Sequence, residues 1–284
     1  MTGGANYAAM LDALRGVSWP ARFATRGATA GTHRSRLRGS SAEFTEYRAY
    51  RQGDDPRRLD WKLLARTDRA FVRITNERAT LPTLFILDAS ASMDFPEDGA
   101  AKWTEAVAIA VGLASVAHAA GDPIAMTVAG PTVRRIPFRA RQGAVNEMAR
   151  TLDRIEPAGS SSLAPLLRQP GRAARIVVLT DLLGDADATL RAARQLLISK
   201  VDVVLVHLVA PEELEPPAGT VLAEDPESPT TRRPLTPLTS ETYRDRFTAW
   251  RQDTARDWIG AGARYVLVRS DESPEGAIRR IVGP

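Results

Sequence analysis

The sequence contains no cysteine. Disulfide scaffolds, zinc–thiolate sites, iron–sulfur clusters and thiol nucleophiles are therefore excluded. Histidine is scarce as well. His33, His118 and His207 are the three present, and none neighbours a candidate nucleophile. His118 in an alanine-rich stretch and His207 in a β-rich run read as core or surface residues. Long apolar runs are missing too. The longest lies within Ala106–Ala120, is interrupted by Gly112, Ser115 and His118, and is too short to span a bilayer. The opening residues, MTGGANYAAMLDALRGVSW, have no basic leader and no continuous apolar core. They read as a short amphipathic helix, not a signal peptide. The expectation is a soluble, cytoplasmic protein without a membrane span.

What remains is ordinary globular composition, with 44% apolar and 25% charged residues over 284 positions. That length suits one large domain, or a medium domain with a small one. The net charge of +4 is unevenly spread: residues 22–78 hold 14 Lys/Arg and 7 Asp/Glu, a balance of +7 that leaves −3 elsewhere. The plain reading is a solvated arginine-rich surface. The sharper one is a docking face for an acidic partner. Nucleic acid is not expected, because acidic residues are interleaved and no binding motif is visible.

A composition shift near residue 80 divides the chain into an N-terminal region, 1–80, and a larger domain, 81–284. The first is irregular and arginine-rich. In the second, β-rich runs at 83–87, 123–129, 132–138, 175–180, 201–209 and 264–268 alternate with helical stretches at 102–120, 144–155, 187–199 and 241–259. Such alternation predicts an α/β fold: a mostly parallel central sheet with helices on both faces. Residues 211–240 are dense in proline and read as an inserted loop, or a hairpin over 221–235 turning at Asp225–Pro226.

The first run of the larger domain ends in Leu87-Asp88-Ala89-Ser90-Ala91-Ser92. In open α/β sheets, ligands bind at the carboxyl ends of strands. In a tight loop, residues two apart can project the same way, so Asp88, Ser90 and Ser92 can converge. One carboxylate and two hydroxyls make an all-oxygen set suited to a hard divalent cation such as magnesium, with manganese or calcium as alternatives. Asp181 ends a second strand, and Ser160-Ser161-Ser162 form a hydroxyl-rich loop. Strings of this type also arise as helix caps. With no metal bound, two close carboxylates repel, so Asp181→Asn is expected to leave the fold intact or slightly stabilised.

Asp88-Ala-Ser-Ala-Ser92 resembles the first element of the metal-ion-dependent adhesion site of von Willebrand A domains. The resemblance implies that Ser90 and Ser92 ligate the metal directly and that Asp88 acts through water. It places Ser161 where the family carries a second-loop threonine, with Ser160 and Ser162 flanking it, and Asp181 where it carries a third-loop aspartate.

A second stretch, from Glu43 through Gly53-Asp-Asp-Pro-Arg-Arg-Leu-Asp-Trp61, has plain local physics. Asp55 can cap a helix with Pro56 at its first position. Leu59, Trp61 and Leu64 can bury against the sheet, and Arg57, Arg58 and Asp60 can form ion pairs. The string is also similar to the signature of the domain of unknown function family 58, whose members carry a von Willebrand A-like domain some distance later. That resemblance implies an accessory or assembly factor working with a MoxR-type AAA+ ATPase.

The functional expectation is a metal-dependent protein-binding module and not an enzyme: two carboxylates roughly neutralise a divalent ion that can then accept a partner's Asp or Glu. The alternative is a metal-dependent phosphatase or phosphotransferase with an aspartyl nucleophile. That chemistry needs a second carboxylate two residues after Asp88, where Ser90 stands, and no lysine is evident in the right setting. A structural domain with an empty loop is a third possibility.

Overall fold

The computed structural model describes residues 7–23, 30–34, 44–52, 54, 56–75, 78–96, 101–217, 219–226 and 228–283. They form two compact units, one of Met1–Pro20 with Pro82–Pro284, the other of Ala21–Leu81. Residues 7–20 of the expected 1–80 region thus join the larger unit.

The chain opens with α1 (Ala8–Ala13), part of the larger unit. The smaller unit follows, with β1 (Ala30–Arg34), β2 (Phe44–Ala49), α2 (Trp61–Thr67), β3 (Phe71–Thr75) and β4 (Arg78–Ala79). β2 pairs antiparallel with β3, and β1 with β4. The signature motif builds the connection between β2 and α2. Asp54 closes its turn by accepting from Arg51 N at 2.8 Å and Arg48 Nη2 at 2.7 Å. The Arg51 amide first, and then the Arg48 guanidinium, hold its carboxyl below the usual range. Asp55, the expected helix cap, lies outside the described residues. Pro56 begins a 3-10 turn, Pro56–Arg58. The cap is Asp60, whose Oδ1 accepts from Lys62 N and Leu63 N at 3.1 and 3.0 Å. Its Oδ2 accepts from Tyr47 OH at 2.8 Å, fastening the helix start to β2. Trp61, expected to bury, is 64% exposed.

The larger unit resumes with β5 (Thr83–Asp88), α3 (Lys102–Ala119), β6 (Ile124–Ala129), β7 (Arg134–Arg139), α4 (Ala144–Leu152), α5 (Ala164–Leu167), β8 (Arg175–Thr180), α6 (Ala186–Ile198) and β9 (Asp202–Val209). It ends with α7 (Pro211–Leu214), β10 (Val221–Asp225), β11 (Ser228–Leu235), α8 (Pro237–Gly260), β12 (Arg264–Arg269) and α9 (Pro274–Val282). Six strands form one sheet in the order β12-β9-β8-β5-β6-β7. All neighbours are parallel except the β6–β7 pair. β10 and β11 form the hairpin expected over 221–235.

Strand chemistry explains the layering. β5, β8 and β9 are buried along their whole length, as strands covered on both faces must be. Alternation then divides each strand between two cores. Phe85, Leu87, Val177 and Leu179 face one core with α1, α3, α4 and α9. Leu84, Ile86, Ile176 and Val178 face the other with α5, α6 and Trp258 of α8. β7, RRIPFR, carries charge and a proline on the outer edge, which suits an edge strand. Arg175, fully buried at the start of β8, fixes the N-terminal segment. Its guanidinium stacks 3.9 Å from the Trp19 ring centre and donates to Pro20 O at 2.7 Å.

Candidate functional site

The parallel strands carry Asp88 and Asp181 to the same edge of the sheet, because β5 and β8 are neighbours and each aspartate ends or follows its strand. Ser90 and Ser92 lie on the loop after β5, within and before the short 3-10 turn Ala91–Asp94. All four are buried, with Asp88 at 4% exposure and Ser90, Ser92 and Asp181 at 1–2%.

Asp88 is the hub of three loops. Its Oδ1 accepts from Ser90 N at 3.0 Å and from Ser161 Oγ at 2.6 Å, and its Oδ2 from Thr180 Oγ1 at 2.7 Å. Burial pushes its carboxyl pKa up and the charge of Asp181 adds to that, while the hydrogen bonds from Ser161, Thr180 and Ser90 oppose it. Of the three adjacent serines, Ser161 is the one that reaches Asp88, and Ser160 and Ser162 are exposed. Ser90 Oγ and Ser92 Oγ stand 3.1 Å apart.

That spacing bears on whether the residues suit a divalent ion. Magnesium binds oxygen at about 2.1 Å in an octahedron, so adjacent ligands lie about 3.0 Å apart. The two hydroxyls have the separation of neighbouring ligands. A hydroxyl that donates one hydrogen bond keeps its lone pairs, so Ser161 can serve both Asp88 and an ion. The donor set is all oxygen, as a hard cation requires. Ser90, Ser92 and Ser161 are the residues that would hold it, with Asp88 behind them.

Asp181 is differently placed than the sequence suggested. The expected bare repulsion with Asp88 is offset by Lys102, the first residue of α3. Lys102 Nζ donates to Asp181 Oδ2 at 2.7 Å and to Glu213 Oε1 of α7 at 2.6 Å, and the lysine is fully buried. Burial opposes the lysine's charge, but Asp181 and Glu213 raise its pKa overall. Asp181 Oδ1 accepts from Leu183 N at 3.2 Å. Leu182, between them, has φ of 58°, a left-handed conformation unusual for a leucine and typical of constrained functional loops. Beneath Asp181, His207 directs Nε2 to its carbonyl at 3.1 Å and Nδ1 to Tyr265 OH at 2.6 Å. Burial drives the His207 pKa down to about 4, so this core histidine is neutral at ordinary pH.

Sequence reasoning missed Thr180, Lys102 and Glu213. Thr180 is a hydroxyl at the last position of a strand, next to an aspartate already singled out. Lys102 had one available sign: a lysine opening a helix meets the positive end of its dipole and needs another reason to be there.

Several known proteins are similar to this chain in sequence or align with it in structure. An uncharacterized Mycobacterium tuberculosis protein, Rv1480, is 29% identical over 280 residues, covering 95% of this chain and 88% of its own. The uncharacterized protein Mb1516 of Mycobacterium bovis matches to the same extent. Among solved structures, BatB from Bacteroides thetaiotaomicron aligns with a TM-score of 0.46 and 17% identity, over 71% of this chain and 97% of that one. The VWA domain of SpRpn10 aligns with a TM-score of 0.41 and 10% identity, over 71% and 95%. The family model described as "Protein of unknown function DUF58" matches residues 46–256, most of the length from the signature turn to the long helix α8, and the chain belongs to that family.

Proposed function

We propose that this chain is a metal-dependent protein-binding module, acting as a cytoplasmic accessory or assembly factor with a MoxR-type AAA+ ATPase. The observation that carries the proposal is the grouping at the carboxyl edge of the sheet: the Ser161 hydroxyl and the Ser90 amide both bind Asp88 Oδ1, and the Ser90 and Ser92 hydroxyls stand 3.1 Å apart. A divalent ion held there, magnesium in the first instance, supplies an electrophilic position for a partner's carboxylate. The protein's own residues orient the loops: Asp88 ties three of them together, and Thr180 fixes its second oxygen.

Two features favour binding over catalysis. Both oxygens of Asp88 accept short hydrogen bonds, which leaves it poorly disposed as a nucleophile. The cavity beside it, lined by Ser161, Thr180, Asp185 and Thr189, has about 10 Å³ of accessible space, barely room for one water. Sites for small molecules are usually larger, roughly 300–1,000 Å³. The AAA+ partnership rests on the resemblance to the family and on the fold's suitability for interaction.

Pull-down from the native host with and without EDTA tests this reading. A partner set that includes an AAA+ ATPase, lost both with EDTA and in Ser90→Ala, is the expected result. A partner set unchanged by either treatment overturns it, and turnover of a phosphate ester by the purified protein moves it to the aspartyl-phosphatase class.

A further inference from the structure

Two buried carboxylates sit at adjoining strand ends but are held by different chemistry. Asp88 takes hydrogen bonds from two hydroxyls and an amide, all neutral donors. Asp181 is bound to a full positive charge, the Lys102 ammonium. The same ammonium binds Glu213, whose other oxygen accepts from Ala210 N at 2.7 Å. The Phe95 ring centre lies 5.8 Å from Nζ, on the loop that follows the serines.

As a means of stability this arrangement is costly. Burying an ammonium and two carboxylates incurs a desolvation penalty that their attraction barely offsets, and an apolar residue of similar size often does as well. The helix dipole adds a further penalty at the first turn of α3. A charge retained under those conditions calls for a role in the site it touches. Asp181 Oδ2 is bonded to Lys102 and Oδ1 to the Leu183 amide; each oxygen keeps lone pairs, but the two bonds together fix the orientation of the carboxylate.

We propose that Lys102 is a positioning residue that locks Asp181 out of direct coordination, so that an ion held by the Ser90, Ser92 and Ser161 hydroxyls keeps an open position for a partner's carboxylate. The inference rests on the metal-binding reading and deepens it. A third-loop carboxylate bound directly to the ion would donate charge and fill a site. Held by Lys102, it stays behind the coordination shell, and the ion remains electron-poor. Removing the lysine therefore has two opposite effects: the ion binds more tightly, and the loaded protein captures carboxylates less well. Mere structural loosening weakens both.

Lys102→Met and the double variant Lys102→Met/Glu213→Gln separate these cases. The double variant deletes one positive and one negative group, so the local net charge is unchanged while Asp181 is freed; it also removes the unpaired Glu213 charge that endangers folding of the single variant. The probe is Mn²⁺ alone, followed by calorimetry and by water-proton relaxation, and then acetate titrated into the Mn²⁺-loaded protein. Both variants are expected to bind Mn²⁺ more tightly, on the order of tenfold, with one fewer exchangeable water on the ion and weaker acetate binding. Unchanged Mn²⁺ affinity and hydration in variants that fold, or a parallel loss of Mn²⁺ and acetate binding, overturns the role of Lys102 and leaves the metal site standing. Failure of the wild-type protein to bind Mn²⁺ overturns the metal site itself, and this inference with it.

Discussion

Lys102 Nζ and Asp181 Oδ2, 79 residues apart in sequence, lie 2.7 Å apart in a fully buried ion pair. The pairing reverses the expectation for Asp181→Asn drawn from like-charge repulsion alone. The substitution relieves Asp88, but it strips Lys102 of one of its two counter-ions. Breaking a buried pair commonly costs about 3–5 kcal/mol, and the remaining bond to Glu213 retains part of it. The metal-free protein is expected to lose about 2 kcal/mol or more, read as a lower urea midpoint without a change in slope. An unchanged or higher midpoint contradicts the pairing.

Glu105 gives a pH dependence. It is 6% exposed on α3, and its Oε1 has no hydrogen-bond partner among the described residues. Burial, with the nearby charges of Glu272, Glu275 and Asp271, raises its pKa to about 8. Between the unfolded value of 4.5 and about 8, the folded state holds a proton that the unfolded state releases. Stability from this group is therefore full below pH 4.5 and falls as the pH rises toward about 8, a loss on the order of 5 kcal/mol. Thermal melts of wild type and Glu105→Gln across pH 5–9 check this. The variant should gain on the wild type as pH rises, whereas a constant difference counts against the assignment.

Gly112 lies on the face of α3 that packs against α9 and Leu14. A Cβ there would overlap Ile278 Cδ1 of α9 and lie 3.1 Å from Leu14 Cδ1. Alanine normally strengthens a helix by up to about 1 kcal/mol over glycine. Here both obstructing atoms belong to buried side chains, and overpacking costs about 1–3 kcal/mol. Gly112→Ala is expected to lower the thermal midpoint, and a rise would mean that Ile278 and Leu14 yield freely.

The sheet was legible because its signals are local. Runs such as RIVVLT and DVVLVHLV, buried on both faces, announce central parallel strands, and the turn at Asp225–Pro226 marked the β10–β11 hairpin. The small unit was less so: β2 reads FTEYRA and β3 FVRIT, strands whose charged residues blur the apolar alternation. Helix α9 was missed although Ser273 caps it, Pro274 opens it, and Ile278, Ile281 and Val282 supply its buried stripe. At the site, Asp88, Ser90 and Ser92 share one loop and could be read as a motif. Lys102 and Glu213 could not, because their meeting with Asp181 depends on the strand order bringing α3, β8 and β9 together, and no local periodicity records that.

The divalent ion proposed at the loop after β5 would be held through the Ser90 and Ser92 hydroxyls. Calorimetric titration of Mg²⁺ or Mn²⁺ into wild type and Ser90→Ala/Ser92→Ala tests it most directly. Deleting two hydroxyls removes the proposed ligands without adding charge or bulk, and circular dichroism checks that the variant keeps the fold. One saturable site in the wild type, lost in the variant, is the predicted result. No binding by the wild type, or equal binding by both proteins, contradicts the account.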